Sequence, residues 1–234
     1  MNLSKKNIIL ISFILISITY SFVYINDSLI EEYLSSTFMS IFIILYYTLL
    51  GFYYAVASNN TSKLFLIALF SALTGGLLFF NNVSFILGLA FFHVFILLNM
   101  IILSKKIGEI NIANFFISII PFLLILIIVL GSFFTDVGLL KLLFLIYGLT
   151  VGLYASFSLY FYLKKKSKVA LINFIGILFF IIATVLRGLR ESEGDTVDTA
   201  TYKFLNSIFY TIALLLITNA YIMSDNELIK DTKE

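Results

Sequence analysis

The sequence predicts an all-α fold: a polytopic membrane protein, a bundle of eight transmembrane helices with both termini cytoplasmic. Three observations predict it. First, 61% of the 234 residues are apolar and 12% are charged. A soluble domain carries about 25% charged residues, so this chain could not cover a water-exposed surface, and a bilayer is the solvent that fits. Second, apolar runs near the ~20 residues needed to span hydrocarbon recur at 7–25, 34–57, 64–80, 84–103, 113–134, 139–162, 169–190 and 205–223. Third, the basic residues fall unevenly on the loops between those runs. With both termini inside, eleven of them (Lys5, Lys6, Lys63, Lys105, Lys106, Lys164, Lys165, Lys166, Lys168, Lys230 and Lys233) lie on the cytoplasmic side. Four (Lys141, Arg187, Arg190 and Lys203) lie outside. Cytoplasmic loops favour Lys and Arg, and that rule selects this orientation.

Composition also excludes several classes. Cysteine is absent, which removes disulfides, thiolate metal sites and thiol nucleophiles. A single histidine cannot build a His-rich metal cluster, and neither a metal nor a cofactor is expected. The net charge of +2 is small and dispersed, unlike a nucleic-acid footprint. Trp is missing, so Phe (26) and Tyr (14) supply the aromatic content, and Tyr anchors at membrane interfaces. The richness in Ile, Phe, Asn and Lys suggests an AT-rich bacterial genome and a bacterial inner membrane.

Taken in order, each span has its own signal. Lys5 and Lys6 precede Asn7–Tyr24 without a small-x-small cleavage site, so a retained first helix is expected rather than a signal peptide. The loop before the second span is acidic, with Asp27, Glu31 and Glu32. Spans three and four form a hairpin about Asn81-Asn82, with the chain's Gly-Gly pair (Gly75, Gly76) and its lone histidine, His93. The fifth holds the only proline, Pro121, which predicts a kink; membrane helices tolerate such a residue as a matter of shape. The sixth ends in a Lys164–Lys168 cluster, read as a topology anchor with modest attraction for anionic lipid. The seventh ends in Arg187 and Arg190 and leads to an acidic loop with Glu191, Glu193, Asp195 and Asp198. The last is followed by a charged tail, SDNELIKDTKE, expected to fray. Short connections make sequential helices antiparallel neighbours, and no linker or soluble domain is evident, so residues 1–234 read as one membrane domain.

Two segments carry a family likeness. The third span reads Phe70-Ser71-Ala72-Leu73-Thr74-Gly75 with Leu77-Leu78, followed in the fourth by Gly88, Leu89 and Phe92. The seventh reads Gly176-Ile177-Leu178-Phe179-Phe180-Ile181-Ile182-Ala183-Thr184, and the last places Tyr210, Ala213 and Leu214 in register. In span count, loop lengths and the placing of both signatures the chain resembles the YhhN-like lysoplasmalogenase family. That family carries Phe-Ser-x-x-Gly-Asp in its third helix and Gly-x-Leu-x-Phe-x-x-Ser-Asp in its seventh. Here the two aspartate positions are Gly75 and Thr184, the glutamine position is Leu214, and the histidine position falls near Ile96, one turn from His93. The resemblance implies an eight-helix fold and vinyl-ether hydrolysis of lysoplasmalogens, with His93 and Thr184 at the catalytic positions. That reaction needs an acid to protonate the double bond and a base to activate water. Glycine carries no titratable group, and no Asp or Glu lies in mid-span.

Polar groups within spans are expensive and raise functional questions. His93 is a candidate proton donor or a neutral imidazole bonded to a neighbour. Asn99 reads as interhelical glue. Thr74, Gly75 and Gly76 either let a helix approach closely, leave room for a ligand chain, or mark a site that has lost its acid. Arg187 and Arg190, three apart on one face, would bind a phosphate as a fork, or snorkel to the interface and pair with Glu191 or Glu193. With the spans oriented as above, Thr74, Gly75, Thr184, Arg187, Asn206 and Tyr210 fall in the outer half and His93 near mid-depth, so one outward-facing ligand cavity is expected to gather them. Three functions follow: a lysoplasmalogenase-like ether hydrolase, a non-catalytic protein binding or sensing membrane lipids such as a lysophospholipid, or a small transporter. Transport is the weakest, because broken helices do not recur in matching halves.

Overall fold

The computed structural model describes residues 4–25, 32–80, 85–133, 138–193 and 199–231. Eight helices account for nearly all of them: α1 (Lys5–Ile25), α2 (Glu32–Ala57), α3 (Lys63–Phe80), α4 (Phe85–Ile107), α5 (Ile112–Phe133), α6 (Gly138–Lys165), α7 (Lys168–Glu193) and α8 (Thr199–Asp231). No strand occurs among the described residues. Each helix contains one of the eight apolar runs to within a residue or two. α4, α6 and α7 gain about a turn, and α8 gains more at both ends, because helices extend past the hydrocarbon-length segment that defines a run. Seven are long and apolar enough to cross a membrane, and α3 is the shorter apolar one. The architecture is that of a multi-pass membrane protein. The Asn81-Asn82 turn, Asp27, Glu31, Asp195 and Asp198 lie outside the described residues.

Local chemistry sets the helix ends where the lysines cluster. Ser4, Ser62, Asn111 and Ser167 each precede a helix and accept a hydrogen bond from an N–H of its first turn, at 3.4, 3.4, 3.2 and 3.2 Å, as N-cap residues do. α4 stops at Gly108, whose φ of +71° is the left-handed conformation that favours glycine after a helix. This is the lysine-rich end of the bundle; the other is called the far end below.

Seven helices close a ring in the order α1, α2, α3, α4, α6, α7, α8 and back to α1. α5 stands outside it, packed on α6 and lightly on α7. Most of its side chains are exposed, Ile112, Phe116, Ile127 and Ile128 among them. Pro121 is also exposed, on the outlying helix and away from the ring interior. α3 and α4 meet through glycine: a Cβ on Gly75 would lie 2.9 Å from the Gly88 carbonyl, and one on Gly88 would lie 3.1 Å from the Gly75 carbonyl. The Ser71 hydroxyl donates to the Phe91 carbonyl at 2.7 Å across the same contact.

Two sequence expectations change. Asn99 is buried, but its amide donates to Phe95 of its own helix at 2.7 Å. Its interhelical contact is through its backbone carbonyl, which accepts from the Tyr221 hydroxyl at 3.4 Å. Asn173 is an interhelical amide instead, donating to the Ser158 hydroxyl at 2.8 Å between α7 and α6. The tail also departs from expectation, because α8 stays helical to Asp231. Asp225 is only 5% exposed. It accepts from the Tyr54 hydroxyl at 2.5 Å and the Ser58 hydroxyl at 3.1 Å, and pairs with Lys106 at 3.3 Å. Three helices, α2, α4 and α8, are thereby tied at the lysine-rich end.

Breaking a buried ion pair on one side strands the other charge and costs about 3 kcal/mol or more, whereas an apolar replacement of both is close to neutral. Asp225→Ala should therefore lower the thermal unfolding midpoint of detergent-solubilised protein clearly. Lys106→Met combined with Asp225→Leu should recover much of that loss, as read by scanning fluorimetry.

Candidate functional site

A cavity of about 100 Å³ lies inside the ring toward the far end, and all seven ring helices contribute to its wall. Its character is set by tyrosine: Tyr20 and Tyr24 from α1, Tyr46 and Tyr47 from α2, Tyr147 from α6 and Tyr210 from α8. These rings are paired rather than scattered. Tyr47 and Tyr210 share a hydroxyl–hydroxyl bond of 2.6 Å, and the Tyr46 hydroxyl donates to Thr211 at 3.4 Å. Tyr20 stacks on Tyr24 at 5.8 Å between centroids. The hydroxyls occupy one another because a polar atom inside an apolar bundle needs a partner.

Among the described residues, the one cation on the wall is Arg187. Its guanidinium carbon sits 4.2 Å from the centroid of Phe79 on α3, a cation–π contact. The lone ion pair among the described residues is the distant Lys106–Asp225, so no described carboxylate neutralises Arg187. An aromatic face balances charge while engaging few of the five guanidinium N–H groups. Lys203 lies over the Tyr24 ring at 5.4 Å, adding positive charge beside the same cavity. The described wall holds no carboxyl group.

The structure brings four of the sequence-predicted residues together here: Thr184, Arg187, Asn206 and Tyr210. Thr184 donates to the Phe180 carbonyl at 2.9 Å in its own helix, with the Tyr147 hydroxyl beside it. Asn206 donates to the Ala183 carbonyl at 2.9 Å and so pins α8 to α7. Gly76, next to the predicted Gly75, is on the wall.

Three predicted residues stand apart from the cavity. Gly75 is pressed against Gly88 and the Phe92 ring. Thr74 returns its hydroxyl to the Phe70 carbonyl at 3.0 Å. His93 lies behind Tyr147, edge-on to its ring at 5.1 Å. Nδ1 of His93 lies 2.9 Å from the Leu89 carbonyl. A carbonyl can only accept, so Nδ1 donates to it, while Nε2 is buried without a partner among the described residues. His93 reaches the cavity only through Tyr147. The side chains of Arg190, Glu191 and Glu193 lie outside the described residues, so the expected fork rests on Arg187 alone.

Sequence reasoning found Tyr210 but missed the other five tyrosines. A tyrosine near a span end reads as an interface anchor, and with 14 in the chain nothing separated those five from the rest. The available signal was the Tyr46-Tyr47 pair, followed seven residues later by Tyr53-Tyr54. No protein-family model, curated protein or solved structure matches the chain. The likeness to lysoplasmalogenases rests on the residues quoted above.

The two aspartate positions of that family differ sharply in room. A Cβ at Gly75 would lie 2.9 Å from both a backbone carbonyl and a ring carbon, whereas Thr184 already extends a side chain along the cavity wall. Gly75→Asp should therefore unfold or strongly destabilise the protein, by about 1–3 kcal/mol or more, while Thr184→Asp keeps the fold. Size-exclusion profiles and unfolding midpoints of the two variants check this.

Proposed function

We propose that this chain is a non-catalytic membrane protein that binds the phosphate headgroup of a lysophospholipid in the far-end cavity. The observation that carries the reading is Arg187, held on Phe79 in a wall of phenols with no described carboxylate. A guanidinium matches phosphate geometry with paired N–H groups. The Tyr147 hydroxyl, and whichever member of the Tyr47–Tyr210 pair accepts from the other, can donate to further phosphate or glycerol oxygens. Hydrolysis of a vinyl ether needs a proton donor and a base beside the bond, and the described wall offers only phenols, hydroxyls, an amide and Arg187. The binding role is therefore favoured over the lysoplasmalogenase activity.

In this reading all eight helices cross a bacterial inner membrane. The lysine-rich end faces the cytoplasm with both termini, and the cavity serves the outer leaflet. The lysine distribution supports that orientation.

Purified protein should bind lysophosphatidylcholine saturably and release no aldehyde from a lysoplasmalogen between about pH 5 and 8, the range around histidine titration. Arg187→Gln should weaken binding roughly 10- to 100-fold, the equivalent of a charged hydrogen-bond contact of about 1.5–3 kcal/mol. Aldehyde release that is lost in His93→Ala would establish the hydrolase instead. The natural absence of cysteine makes orientation directly measurable. Asn82→Cys should react with an impermeant maleimide in intact cells, and Ser167→Cys should react only after lysis.

A further inference from the structure

A second cavity, about 80 Å³, lies under the outlying α5, between it, α6 and α7. Its lining is almost wholly apolar, with Leu126, Val129, Val151, Val185 and Leu189 prominent. Tyr147, Thr184 and Gly188 line both this groove and the tyrosine-walled cavity. One partition therefore separates the two spaces. It consists of a single ring, a small hydroxyl side chain and a glycine with no side chain.

Resting on the headgroup reading above, we propose that the groove under α5 holds the hydrocarbon chain of the same lipid. The chain passes out of the ring between α6 and α7 at the Tyr147–Thr184 partition. Depth fits an amphiphile. On α6 the polar cavity is lined by Tyr147 alone, whereas the groove continues to Val151 and Gly152. That places its floor about 7 Å further from the far end at 1.5 Å per residue. On α7 the two spaces overlap, 183–188 against 181–189, so the chain starts beside the headgroup cavity and runs deeper toward the membrane centre along α6. Glycine makes the space. A Cβ at Gly152 would lie 3.7 Å from Phe122, an ordinary contact, so the gap there is about one methyl group wide, the girth of a hydrocarbon chain. The polar cavity draws walls from all seven ring helices and the groove borders only α6 and α7 of the ring, so the chain leaves through one side. A passage bounded by one ring and one threonine suits a single chain, which selects lysolipids over two-chain phospholipids.

The test is photolabelling of the wild-type protein with a lysophosphatidylcholine bearing a diazirine at mid-chain, followed by peptide mapping. Adducts competed by unlabelled lysophosphatidylcholine should concentrate on Leu126, Val129, Val151 and Val185. Gly152→Ala, whose Cβ fits that gap, should lower affinity for the long-chain lysolipid several-fold while retaining the unfolding midpoint. Competable adducts on α1 or α2, still lost in Arg187→Gln, would overturn the groove and leave the headgroup reading standing. Absence of any competable adduct would overturn both. Equal affinity for dipalmitoyl phosphatidylcholine would overturn the single-chain selection.

Discussion

Lipid tails are as apolar as leucine, so an apolar stripe does not hold helices together in a bilayer as it does in water; packing and interhelical hydrogen bonds do that work. In this chain the bonds concentrate on one seam, between α2 and α8. Tyr46 reaches Thr211, Tyr47 meets Tyr210, Tyr53 donates to Asn219 at 2.7 Å, and Tyr54 and Ser58 both reach Asp225. The seam ends where Asn226 accepts from the Asn59 N–H at 2.8 Å and donates to the Ala57 carbonyl at 3.2 Å. Along α2 the rungs run from Tyr46 and Tyr47 through Tyr53 and Tyr54 to Ser58, and along α8 from Tyr210 and Thr211 through Asn219 to Asp225, in the same direction on both. The ring stays closed on that side because of this ladder, and the far-end cavity is the space it encloses.

The ladder also divides the interior. Between the tyrosine-walled cavity and the Asp225 cluster, α8 presents Ala213, Leu214 and Ile217, each at most 1% exposed. Phe95 and Ile96 of α4 and Ile177 and Phe180 of α7 are equally buried. A layer of packed apolar side chains thus separates the far-end cavity from the Asp225 cluster. An occupant of the cavity meets a floor of packed side chains rather than a path to the lysine-rich end. This suits a binding site on one leaflet and gives no support to transport.

Helix number and extent were legible in the sequence, because hydrocarbon imposes a run length that few other contexts require. Arg187 was legible for a related reason: a cation near a span is costly enough to draw notice. Thr184 and Tyr210 were found through positions aligned with a family likeness and Asn206 through its depth in the outer half, and the structure sets them on one wall. The illegible part was direction. Helices apolar on every face do not declare which neighbour they meet, so nothing foretold that α5 would stand outside the ring, and the close helix approach read at Gly75 did not identify Gly88 as its partner. Asp225 was hidden by its place beyond the apolar run, where charge normally means solvent. Only the approach of Lys106, Tyr54 and Ser58 from distant helices makes it a buried group.

The α2–α8 seam joins residues more than 160 positions apart. A chain enters the membrane from its N-terminal end first, so α2 is in place long before α8 is made. Until then the hydroxyls of Tyr47, Tyr53 and Tyr54 face hydrocarbon or provisional partners. The final helix acts as a keystone, and assembly is incomplete until synthesis is nearly over. A nascent protein halted after α7 would present an open-sided ring with a polar stripe to the lipid, a species that membrane quality control could distinguish from the finished one.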